Sequence, residues 1–167
     1  MTKNIFGGLW SLKKEAALTE YLNRYATALK NQHFSIIYLD AFAGTGTRST
    51  PDDNKNHTLF EDENIEFDGS AKIALKTNNP FNSYVFVDEK ASFCQKLEQL
   101  VENFPTRNIE IHNKEANEFV QKFCNQTNWS KYRAVILLDP FGMEVEWETL
   151  KAIASTNAID LLYLVSK

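Results

Sequence analysis

The chain has 167 residues, of which 43% are apolar, and a formal net charge of −4. That length suits one domain burying roughly two-thirds of the surface its unfolded chain exposes, and no apolar run approaches the ~20 residues of a membrane helix, so a soluble protein is expected. The acidic balance weighs against a broad basic clamp for nucleic acid.

In chain order, Met1 to Gly8 lacks the apolar core and small-residue cleavage site of a secretory signal, so cytoplasmic residence is the default expectation. Leu18, Tyr21, Leu22, Tyr25 and Leu29 recur at three- and four-residue spacing and predict an amphipathic helix over Trp10 to Asn31. Ser35 to Ala41 reads as a first strand. A polar insertion over 49–68 follows, with seven acids (Asp52, Asp53, Glu61, Asp62, Glu63, Glu66, Asp68) against the single base Lys55. It is expected to be a solvated surface loop, or a lid or partner-docking segment. Gly69 to Leu75 resembles a helix entry with Ser70 as cap. Strand Ser83 to Asp88, helix Lys90 to Phe104, strand Asn108 to His112, helix Glu115 to Gln126, strand Arg133 to Asp139, helix Glu146 to Ser155 and strand Ile159 to Val165 complete the pattern. Alternation of strand and helix predicts one doubly wound α/β domain over 1–167 with a Rossmann-like, mainly parallel sheet.

Such sheets bind ligands beyond the carboxyl ends of their strands. Four acids stand at or just after strand ends: Asp40 ahead of Gly44-Thr45-Gly46, Asp88, Glu115, and Asp139 ahead of Pro140-Phe141-Gly142. All four are expected to line one crevice. A nicotinamide dinucleotide is disfavoured, because Ser49 stands where a third glycine belongs and a polar insertion replaces the start of the phosphate-binding helix. A cofactor with a ribose and no phosphates needs close backbone approach at Gly44 and Gly46, a carboxylate for the ribose diol and an acceptor for the adenine amine. S-adenosylmethionine meets that description. Asp88 is the candidate for the diol, Asp40 for positioning the methionine ammonium directly or through water, and Glu115 for the adenine amine, with Phe42 in the same loop.

The residues also carry a family resemblance. Trp10, Lys13 and Tyr21-Leu22, then Asp40-Ala41-Phe42-Ala43-Gly44-Thr45-Gly46, Gly69-Ser70, Ala74-Leu75, Tyr84-Val85-Phe86-Val87-Asp88, Leu138-Asp139-Pro140-Phe141-Gly142 and Asp160-Leu161-Leu162 resemble the class I S-adenosylmethionine-dependent methyltransferases. Within that superfamily the chain is similar to the three-Cys-motif partner proteins of bacteria, over nearly its whole length. The resemblance implies a methyltransferase fold and cofactor more strongly than a reaction, and a nucleic-acid base is the expected acceptor. In the amino-methylating enzymes an Asp or Asn is followed by Pro-Pro and an aromatic, which accept from the target amine and stack on the flipped base. Asp139, Pro140 and Phe141 match in part, with Phe141 replacing the second proline and Gly142 at the aromatic's usual position. Either Asp139 orients an acceptor or it is satisfied by backbone amides in a tight turn. Five strands are visible where the superfamily usually adds two more, so a fragment, or a short form covered by a partner protein or a second copy, is expected. A catalytically incomplete scaffold and a small-molecule or protein methyltransferase are the alternatives.

Other candidates carry less. His33, His57 and His112 are scattered and no metal site is expected; Cys94 and Cys124 sit among apolar neighbours as buried thiols. No Gly-x-Ser-x-Gly elbow is present, so hydrolysis is disfavoured. Glu144 and Glu146 are expected to flank a helix start, and Trp129, Tyr132 and Arg133 to pack at a sheet edge or stack on a nucleotide.

Overall fold

The computed structural model describes residues 3–49 and 66–165. Its elements are α1 (Lys3–Leu29), β1 (Ser35–Asp40), β2 (Thr47–Ser49), β3 (Glu66–Asp68), α2 (Ser70–Leu75), β4 (Ser83–Asp88), α3 (Ala91–Val101), β5 (Ile109–Asn113), α4 (Ala116–Gln126), β6 (Tyr132–Leu138), α5 (Trp147–Ser155) and β7 (Ile159–Tyr163). Five strands form one sheet in the order β5-β4-β1-β6-β7, every neighbouring pair parallel. The predicted doubly wound α/β architecture is borne out.

Burial explains the composition of the strands. β1 is apolar almost throughout because both its faces are covered, and five of its six residues are buried. On one face Tyr38, Tyr84, Phe86, Val135 and Leu137 pack against Leu22 and Ala26 of α1, Ile73 to Leu75 of α2 and Leu97 of α3. On the other, Ile37, Leu39, Val85, Ile136 and Leu138 meet Val120 and Cys124 of α4 and Ile153 of α5. Each fully buried large side chain contributes about 1.5–3 kcal/mol relative to exposure. The edge strands β5 and β7 have no fully buried position, all their residues being half-buried or exposed.

Three local features differ from the sequence reading. Helix α1 begins at Lys3 rather than Trp10 and runs through Gly7 and Gly8, whose low helix propensity argued against it. The polar insertion is not wholly loop: its ends pair as the antiparallel hairpin β2-β3, with Thr47 opposite Asp68. Three-residue strands carry too little alternation to be read from sequence. The remainder of the insertion, including Asp52, Asp53, Lys55, Glu61, Asp62, Glu63 and His57, lies outside the described residues. Ser70 is not the cap of α2; Gly69 holds that position without a side-chain cap bond, and the Ser70 hydroxyl points elsewhere.

The topology places the site. The order turns back at β1, with β4 on one side and β6 on the other, while the helices after β1 and β4 cover one face and those after β5 and β6 cover the other. Loops leaving adjacent strand ends in opposite directions open a crevice at that switch point.

Candidate functional site

The loop after β1 is held by a buried carboxylate. Asp40 is fully buried and accepts from the Phe42 amide at 3.2 Å and from the Ser70 hydroxyl. Burial of the neighbouring Tyr38 hydroxyl, reinforced by the Asp40 charge, pushes its pKa well up and keeps it protonated. Backbone bonds Ala41 N to Leu137 O (3.2 Å) and Ala43 N to Val87 O (3.0 Å) tie the loop to β6 and β4. The loop is thereby fixed before any ligand arrives.

Gly44 and Gly46 both have positive φ, +62° and +77°, which favours glycine. They differ in what lies beside them. A Cβ on Gly44 would meet nothing within 4 Å, whereas one on Gly46 would clash with Leu100 Cδ2 of α3. Gly44 faces open space that a ligand can enter; Gly46 lets the loop pack on α3.

Beside Gly44 lies a cavity of about 450 Å3 lined by Ala41, Phe42, Asp88, Glu89, Lys90, Phe93, Glu115, Ala116, Phe141 and Glu144. Asp88 organises its mouth: Oδ2 accepts from the Gly44 amide at 3.0 Å and Oδ1 from the Lys90 amide at 2.9 Å. A carboxylate offers about four lone-pair sites, so capacity remains on both oxygens for an added diol. Glu115 is the side-chain cap of α4, with Oε1 accepting from Asn117 N (2.8 Å) and Nδ2 (2.9 Å) and Oε2 from Glu118 N (2.8 Å). Burial alone would raise its pKa, but the bonds from Glu118 and Asn117 outweigh it and hold the carboxyl below its usual range. Four acids against Lys90 make the cavity electronegative, while Phe42, Phe93 and Phe141 supply apolar wall.

The expectation of one crevice for all four strand-end acids needs correction. Asp40 lines neither cavity, being buried beneath the loop. Asp139 faces a second cavity, of about 500 Å3, between the sheet and α1, among Lys13, Lys14, Leu18, Tyr21, Ser70, Leu137, Leu162 and Leu164. There Lys14 Nζ lies 3.2 Å from both Asp139 carboxylate oxygens. Asp139 continues the alternation of β6 onto the α1 face, the side of Leu137, whereas Phe141 stands beyond the strand, where the pleat no longer sets direction, and reaches the first cavity. Pro140 is buried and Phe141 is 88% exposed.

Two functional candidates escaped the sequence reading. Lys14 had no signal, because its partner lies 125 residues away. Asn117, 7% exposed, donates to Glu144 O at 2.8 Å and accepts from Glu146 N (2.9 Å) and Thr149 Oγ1 (2.8 Å), pinning the chain between β6 and α5. A polar residue on the buried side of α4 was its only clue. Glu146 does open α5, as expected.

The remaining candidates are structural. His112 meets Glu110 at 3.1 Å and packs on Phe119, and His33 packs edge-on against Phe34. Among the described residues no cluster of three metal-binding side chains exists and no helix is long and apolar enough to cross a membrane. Cys94 and Cys124 are buried free thiols, and burial pushes the Cys124 pKa up to about 12. Trp129 donates to Cys124 O at 2.7 Å and Arg133 covers the Phe34 ring, so this group packs at the start of β6, an interior strand, and not at a sheet edge.

No family model matches the chain, and no curated protein matches it by sequence. Among solved structures it is similar to protein LPL1258 of Legionella pneumophila, of family-model DUF519, with a TM-score of 0.64 and 12% identity over 87% of this chain and 64% of that one. An rRNA methylase of Streptococcus thermophilus superposes more loosely, with a TM-score of 0.46 and 13% identity over 90% of this chain and 69% of that one. The chain thus spans under two-thirds of the Legionella protein. What the two share is a fold: the chain is a parallel, doubly wound α/β domain of the same architecture as LPL1258.

Proposed function

We propose that the chain is an S-adenosylmethionine-dependent methyltransferase domain acting on a nucleic-acid base. The carrying observation is the Gly44 amide bound to Asp88 at the mouth of an acid-lined cavity. The acids favour a ligand bearing a sulfonium and an ammonium and repel the phosphates of a dinucleotide. The spare lone pairs of Asp88 suit a ribose diol, the open backbone at Gly44 suits close approach, and the phenylalanines suit a planar base. Glu115, already committed to capping α4, retains acceptor capacity toward an amine. Asp40 acts through the loop it anchors, and Gly46 through its packing on α3.

When bound, the cofactor supplies an electrophilic methyl group. The chain's part is to hold and orient: exposed Phe141, at the first cavity, stacks on the base, and Asp139, once its ion pair with Lys14 opens toward that cavity, accepts from the acceptor amine, helped by the Pro140 carbonyl. The narrower likeness to three-Cys-motif partner proteins, cytoplasmic residence, and cover of the outer edge of β7 by a second copy of the chain belong to the same proposal. A strictly monomeric species at micromolar concentration in ultracentrifugation rules out that cover.

Calorimetric titration with S-adenosylmethionine tests the reading. Saturable binding is expected, weakened by about 1.5–3 kcal/mol in Asp88→Ala as charge-assisted hydrogen bonds are lost. Absence of binding by the folded chain overturns it. A second reading, a catalytically incomplete scaffold, is favoured by the engagement of both Asp139 oxygens by Lys14; transfer of labelled methyl groups to nucleic acid excludes it, and transfer only to a small molecule or a protein revises the acceptor.

A further inference from the structure

We propose that the lip between β6 and α5, residues 141–148, docks a cationic segment of a partner protein that carries apolar anchors. The inference does not depend on which reaction, if any, the crevice performs.

Met143 is wholly exposed and Trp147 is 69% exposed, with Phe141 close by in sequence at the edge of the crevice. Scattered exposed apolar residues need no explanation, but here three large ones fall within seven residues of one another, a local density of the kind that marks an interaction site. Trp and Met are enriched in the buried centres of interfaces. The lip is also held in shape before binding. Buried Asn117 fixes the Glu144 carbonyl, the Glu146 amide and the Thr149 hydroxyl, so little ordering remains to be lost on association.

Charge selects the partner. Glu144, Glu146 and Glu148 are exposed and interleave with the apolar side chains. The sole base over 141–151 is Lys151, and its ammonium is already 2.6 Å from Glu148. Gln121 neutralises nothing at Glu146, donating a hydrogen bond at 3.3 Å. The adjoining cavity adds Asp88, Glu89 and Glu115 against the single base Lys90, so the balance stays acidic. A phosphate backbone laid across this surface would be repelled, whereas a lysine- or arginine-rich protein segment finds both its charge and its apolar positions matched. Such a segment would also bring the cations that a nucleic acid entering the crevice needs and the lip lacks.

The test uses the whole chain and three fluorescently labelled probes: a short peptide with Lys and Leu at helical spacing, the same peptide with every Leu replaced by Ser, and a single-stranded oligonucleotide. The Lys/Leu peptide is expected to bind, and the Lys/Ser peptide about tenfold or more weaker, the loss of a single anchor's contribution. The exposed double variant Met143→Ser with Trp147→Ser should lower Lys/Leu affinity by about tenfold or more at an unchanged unfolding midpoint. Glu144→Gln with Glu146→Gln should weaken it further as salt falls, flattening the salt dependence. A fluorophore on Met143→Cys, otherwise wild type, should respond to the peptide and supplies a readout if the double variant unfolds. Failure of the Lys/Leu peptide to bind at millimolar concentration, binding untouched by both double variants, or oligonucleotide binding abolished by Met143→Ser with Trp147→Ser each overturns the proposal.

Discussion

The two cavities at the strand ends are built in different ways. The one beside Gly44 is assembled from loops that each follow their own strand, and two of its four acids are held by nearby backbone amides: Asp88 by those of Gly44 and Lys90, Glu115 by those of Asn117 and Glu118. The one under α1 is closed by a helix 125 residues distant from the carboxylate it meets, through an ion pair whose members are 25% and 15% exposed. Backbone-held acids are fixed by the fold itself. A side-chain pair, by contrast, depends on two long-range partners keeping their rotamers, so the two cavities differ in what fixes their charged groups.

Substitutions sharpen this contrast. The largest effect is expected at Asp40, which underlies the first cavity: Asp40→Ala removes a fully buried carboxylate, leaves the part-buried Phe42 amide and Ser70 hydroxyl without their acceptor, and should cost about 3 kcal/mol in urea unfolding. A cost below that of Ser70→Ala would show the loop to be held by its backbone alone. The two glycines come next. Gly46→Ala drives a Cβ into Leu100 and should destabilise by about 1–3 kcal/mol, whereas Gly44→Ala meets no atom, costs about 1–2 kcal/mol of left-handed strain, and should weaken S-adenosylmethionine in calorimetry out of proportion to stability. Equal losses of binding and stability at both positions would erase the distinction.

Glu115 carries a smaller, pH-dependent effect. Its folded pKa lies below the unfolded value, so its carboxylate contributes stability that is fully present above the ordinary glutamate range and is lost as pH falls through the folded pKa. Glu115→Ala should therefore cost about 1 kcal/mol near neutrality, the usual value of a side-chain cap, and progressively less in acid. A difference from wild type that is constant with pH would mean that the cap does not depend on charge. Lys14→Ala, at the second cavity, should change stability by less than about 1 kcal/mol, as partly exposed pairs do, and leave cofactor affinity unmoved. Loss of cofactor affinity in that variant would join the two cavities into one site.

Most of the fold was legible in the chain. The apolar runs Ser35 to Leu39, Tyr84 to Val87 and Ala134 to Leu138, separated by helix-length segments, lead to a parallel sheet because strands covered on both faces must be apolar throughout. The strand-end rule then led to Gly44 and Asp88, which the structure joins by a hydrogen bond. It overreached at Asp40 and Asp139, since position at a strand end does not say toward which face, or how deep, a side chain turns. Hairpin β2-β3 was missed because its two short strands are far apart in the chain, and Ser70 was misread because the helix begins one residue earlier than supposed: Gly69 is the N-cap, and Ser70, inside the first turn, donates to Asp40.

Local pattern by itself determined the class of sheet, the flexible glycine at Gly44 and the acid beside it, because periodicity and turn chemistry act over a few residues. Tertiary structure alone decided that Leu100 fills the space at Gly46, that Lys14 closes on Asp139, and that Asn117 braces a lip left apolar and acidic at its surface. Those contacts join residues far apart in the chain, and their geometry exists only once the helices have settled on the two faces of the sheet.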